Sequence, residues 1–83
     1  MIDVDDAVEE IKKMINEDPT ITGAKYVLVY AQKKGFARWK KEEIHLNGHV
    51  KNEIERKKIE ELALHSAAGR PVINDLEVSS GNK

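Results

Sequence analysis

No cysteine occurs among the 83 residues, so disulfides, thiolate metal sites and thiol nucleophiles are all excluded. The five glycines are scattered, and no Gly-rich loop is available to cradle a phosphate. Neither sign of charge dominates. Fourteen basic residues face fifteen acidic ones, a net charge of −1, which provides no general attraction for nucleic acid or for an anionic membrane. Any such attraction must be local. No apolar run approaches the roughly 20 residues needed to cross a bilayer. The start, MIDVDDAVEE, is acidic and lacks the basic and apolar regions of a secretory signal. The expectation is a cytoplasmic protein, or a periplasmic or envelope protein if the native chain begins earlier. A chain this short buries only about 60% of the surface its unfolded form exposes, so its core is small.

What is present is well patterned. Val4, Val8, Ile11 and Ile15 repeat at helical spacing, with Ala7 and Met14 beside them. Asp3 stands at the N-cap position, Asp5 and Asp6 suit the positive end of the helix dipole, and Pro19 ends the run. A helix is predicted over 4–17. KYVLVYA (25–31) reads as a strand, with Val27, Val29 and Ala31 on one face and Tyr26, Leu28 and Tyr30 on the other. EIHLNGHV (43–50) is a second strand, with Ile44, Leu46 and Val50 opposed to His45, Asn47 and His49. Gly48 falls on its apolar side, which predicts a bulge or the close approach of another backbone.

Asn52 is placed to cap a second helix reaching about Ala67, with Glu55 as a capping-box acid. Ile54, Ile59, Leu62, Ala63 and Ser66 are expected on its apolar face, and Glu55 on its polar side. Gly69 and Pro71 end it, and PVINDLEV (71–78) is the third strand. The predicted architecture is α+β, in the order αββαβ. Two helices pack on one face of a three-stranded mixed sheet, because each helix has a single apolar stripe to bury. Residues 1–78 form one domain, and 79–83 are expected to be a disordered tail.

Residues 44–78 carry a further pattern. Ile44, Leu46, Gly48 and Val50 follow apolar-x-Leu-x-Gly-x-Val. Glu55, Arg56, Ile59, Leu62 and Ala63 form a helix with an acidic-basic start. Val72, Asn74, Leu76 and Val78 follow Val-x-Asn-x-Leu-x-Val. In this register the chain resembles the BON domain, the bacterial osmotically-induced and nodulation module. It departs from the family in the long basic insertion between the first two strands and in AAGRPV before the last. The resemblance implies a non-enzymatic module associated with anionic phospholipid surfaces.

No constellation points to catalysis or to a cofactor. Glu60 and Glu61, like Asp5 and Asp6, are helix neighbours that do not face each other. Ser66, Ser79 and Ser80 lack any activating motif. His45 and His49 lie four strand residues apart, roughly 13 Å at about 3.3 Å per residue, too far to share one metal ion. They are expected to be solvated on the open sheet face, and His65 to sit at the edge of its helix face. Asn74 has core parity and must find a hydrogen-bond partner. Tyr26, Leu28 and Tyr30, beside His45 and His49, form a candidate surface for a protein partner or a second copy. Simple local packing and base stacking are the alternatives, and the acidic balance argues against nucleic acid.

The outlying stretch is KKGFARWKK, residues 33–41, with five basic side chains and two aromatics in nine positions. Lys33, Lys34, Arg38, Trp39, Lys40 and Lys41 form a candidate anion- or lipid-docking set, since indole and lysine together suit a membrane interface. Strand parity puts Phe36 with the core and Trp39 on the open face. The competing reading is a long hairpin whose lysines protect its edges from aggregation.

Overall fold

A computed structural model describes residues 3–35 and 41–79. Its element order is α1 (Val4–Glu17), a 3-10 turn (Ala24–Tyr26), β1 (Val27–Lys34), β2 (Lys41–Val50), α2 (Glu53–Ser66) and β3 (Val72–Val78). The three strands make one sheet in the order β1-β2-β3. β1 and β2 are antiparallel, and β2 and β3 are parallel. The α+β class and the αββαβ order are those the sequence predicts. The tail residues 80–83 lie outside the described part, while Ser79 still donates its N–H to the Val50 carbonyl at 2.7 Å.

α1 buries Val4, Ala7, Val8, Ile11 and Ile15, the predicted stripe. Asp3 holds the N-cap position, but its side chain makes no capping bond; its carbonyl accepts the Ala7 N–H at 2.9 Å. After Pro19 the chain turns back, with the Asp18 carboxylate accepting the Thr20 N–H at 2.8 Å and its hydroxyl at 2.6 Å. Both helices pack on one sheet face, where Ile11, Ile44, Leu46 and Ile59 are fully buried. Burying such a side chain contributes about 1.5–3 kcal/mol each.

Gly48 confirms a close approach. Its φ is +120°, and a Cβ there would overlap the Tyr26 carbonyl oxygen and lie 3.1 Å from its carbon. Tyr26 is accordingly in the 3-10 turn that crosses Gly48, and not in the strand where alternation had placed it. The strand begins at Val27, two residues later than the pattern puts it.

α2 corrects the sequence reading at its start. Asn52 caps it as expected, accepting the Glu55 N–H at 2.9 Å. Glu55, however, does not close a capping box. It is buried, and its Oε2 accepts the Thr22 hydroxyl at 3.1 Å and the Thr22 N–H at 3.4 Å. Ile54 is 76% exposed instead. The buried line is 55, 59, 63 and 67, a strict i, i+4 series, and Ile54 lies one residue off it. Ser66 is half-buried and donates to Met14 Sδ at 3.3 Å. Asn74 finds its partners as anticipated, donating to Glu60 Oε1 at 3.0 Å and accepting the Leu76 N–H at 3.1 Å. It thereby ties β3 to α2.

Candidate functional site

The β1–β2 hairpin outruns β3. β3 pairs with β2 from Val72 opposite Ile44 onward. Gln32–Glu43, Lys33–Glu42 and Lys34–Lys41 pair only with each other, beyond the start of β3. At about 3.3 Å per residue this arm extends roughly 10 Å past the end of the third strand. Lys33, Lys34 and Lys41, from the candidate docking set, stand exposed at its outer end. Arg38, Trp39 and Lys40, and the core placement of Phe36, lie outside the described residues.

The arm's charges are ordered. Lys34 and Lys41 are direct cross-strand partners, an unfavourable like-charge pairing. Glu43 relieves it from the inner side, with its Oε1 at 3.5 Å from Lys34 Nζ. The same oxygen lies 3.1 Å from His45 Nε2. The hydrogen bond from His45 holds the Glu43 carboxyl below the usual carboxylate range, partly offset by desolvation and reinforced by the Lys34 charge. Glu42 pairs with Arg70 at 2.9 Å. Both acids therefore lie inward of the Lys34–Lys41 pair, with Lys33 level with Glu42.

The open sheet face, opposite the helices, carries the second candidate set. Leu28 is 58% exposed and Tyr30 37%. His45 was expected in solvent and is instead buried. The cause is its place on the central strand, between Tyr30 and Ile73. The Tyr30 and His45 rings stack with centroids 5.1 Å apart and planes 14° apart, while Glu43 takes the Nε2 side. His49 is exposed, 3.7 Å from Glu77. Among the described residues no group of three or more acidic or histidine side chains could hold a metal ion. His65 is exposed.

Tyr26 separates from its expected neighbours. It sits at the end of the sheet, with Lys25 Nζ 5.4 Å above its ring. With Thr22, Gly23, His49, Val50, Lys51 and Ser79 it lines an open groove of about 620 Å³. Glu55 is the residue that the polar-face reading passed over. Its signal was the four-residue spacing to Ile59 and Ala63, masked by the apolar Ile54 next to it.

No protein-family model matches the chain, and no curated protein matches it. Among the described residues no helix is long and apolar enough to cross a membrane.

Proposed function

We propose that the chain is a non-catalytic, BON-like binding module that docks on anionic phospholipid surfaces through the tip of its β1–β2 arm. One observation carries this reading: Lys33, Lys34 and Lys41, the described basic residues of the chain's only strongly cationic stretch, stand on a two-stranded arm past the end of β3. Residues 33–43 hold five basic and two acidic side chains in a chain of net charge −1, so the remainder is acidic. An arm that carries the cations away from the helices' acids lets them approach a negative surface first. An anion placed above Lys41 also relieves its opposition to Lys34. The likeness of residues 44–78 to the BON pattern supports the same ligand class.

The test is co-sedimentation with phosphatidylglycerol vesicles at low ionic strength, read together with the emission of Trp39, the only tryptophan. Binding and a blue shift that salt reverses are expected. Each lysine near an anionic surface contributes about 1 kcal/mol, so Lys33→Gln with Lys41→Gln weakens binding by about 30-fold. Lys34→Gln has the smaller effect, because Glu43 already holds Lys34. Absence of any sedimentation with the anionic vesicles refutes the reading.

A second reading is favoured by the exposure of Leu28 and Tyr30: the open face takes a protein partner. Single-stranded nucleic acid is the less favoured occupant, since Asp75 and Glu77 are exposed on the same face.

A further inference from the structure

The open face has a row of two rings and an isoleucine in the middle, two lysines outward of Glu43 at the arm end, and acids on β3 at the other end. Its central row is Tyr30, His45 and Ile73, side by side across the three strands. Toward the arm it ends in exposed Lys34 and Lys41. Toward the other end, on β3, it carries exposed Asp75 and Glu77. A patch with this polarity is complementary to itself when turned end over end.

We propose that two copies of this chain pack face to face through the open sheet surface, about a two-fold axis perpendicular to the strands. This rests on the open-face reading above and names its partner. Such an axis through the central row sets Tyr30, His45 and Ile73 against their own counterparts. It carries the Lys34–Lys41 end of each copy over the His49–Glu77 end of the other, and Gln32 over Leu28. A two-fold axis parallel to the strands would leave like ends together. Pairing through the sheet edges, β3 of one copy to β1 of the next, would be open-ended, whereas the face-to-face arrangement closes as a dimer.

Magnitude sets the expected strength. About 19 overlapping residues, nearly all on β1 and β2, at about 3.3 Å by about 4.8 Å each, give a flat footprint of roughly 300 Å² per copy. A standard interface covers about 800 Å² per partner. The dimer is therefore weak, with dissociation in the micromolar to millimolar range.

Sedimentation velocity and concentration-dependent amide shifts test it. The wild-type chain shows a monomer–dimer equilibrium by about 1 mM, with shifts concentrated at Leu28, Tyr30 and Ile73. Lys41→Glu and Glu77→Lys each weaken it by up to about 5-fold, and the double variant restores it. Both positions of substitution, with Gln32 as the third, are exposed, so the variants keep the fold. A monomer throughout, or a double variant no better than the singles, overturns the proposal. A photo-crosslinker at Gln32, used in the producing cells, separates this failure from that of the open-face reading. A cross-link to the Leu28 region of a second copy supports the dimer. A cross-link to a different protein overturns the dimer and keeps the open-face reading. No cross-link overturns both.

Discussion

Replacing Gly48 by alanine tests the packing at the sheet's far end most sharply. Gly48 lies in the central strand, paired with Val27 on one side and Leu76 on the other. Its φ of +120° is one that side-chain-bearing residues rarely adopt, at a cost of about 1–3 kcal/mol. The added methyl would also overlap the Tyr26 carbonyl oxygen and sit 3.2 Å from Val27 Cα. These are backbone atoms of a turn held by the Tyr26 N–H to Gly23 carbonyl bond at 2.9 Å, so they cannot swing aside as a side chain would. Overpacking of this kind adds about 1–3 kcal/mol. The total is about 2–6 kcal/mol. For a domain of this size, 1 kcal/mol lowers the melting temperature by about 4–8 °C, so a fall of at least about 8 °C is expected. Gly69→Ala is the control. Gly69 also has positive φ, +85°, but an added Cβ meets nothing within 4 Å, so only the strain of about 1 kcal/mol remains. Thermal and urea unfolding, followed by far-UV circular dichroism, compares the two. If Gly48→Ala loses no more than Gly69→Ala, the turn does not cross the strand as described.

Three further outcomes follow from the same geometry. Ala68 is exposed, with φ +55°, just after α2; Ala68→Gly relieves left-handed strain and raises stability by about 1 kcal/mol in urea titrations. The hydrogen bonds from Thr20, with Lys58 nearby, hold the Asp18 carboxyl below its usual range, as those from His45 do for Glu43. A folded pKa below the unfolded one gives stability that is present above the ordinary carboxylate range and lost as pH falls through the folded value; Asp18→Asn should flatten that acid slope. Finally, the face-to-face dimer puts its two basic tips at opposite ends. Anionic vesicles should then become turbid at protein concentrations that favour self-association, and Leu28→Ser should abolish the turbidity while leaving co-sedimentation intact.

Local periodicity was enough for most of the fold. The α1 stripe repeats every 3.6 residues and the β2 alternation every two, and each assigns a side chain to a face whatever lies opposite. The helix bounds and the close approach at Gly48 were legible for that reason. The candidate site was legible only in part. Lys33, Lys34 and Lys41 were identified as a group, but their position past the end of β3 depends on where β3 begins, a tertiary fact.

The remaining differences share one physical cause. Sequence pattern determined which way a side chain points, and only the tertiary structure decided what it meets there. His45 points to the open face, as alternation requires, yet Tyr30 and Ile73 from the two neighbouring strands close over it. Glu55 is charged and Ile54 is not, yet the line of contact along α2 passes through Glu55, where Thr22 bonds one carboxylate oxygen, Oε2, and Oε1 is buried without a partner. Tyr26 continues the apolar alternation of β1, but the crossing over Gly48 bends it into a turn. Burial depends on neighbours brought from 15 to 33 residues away in the chain, and no local repeat encodes them.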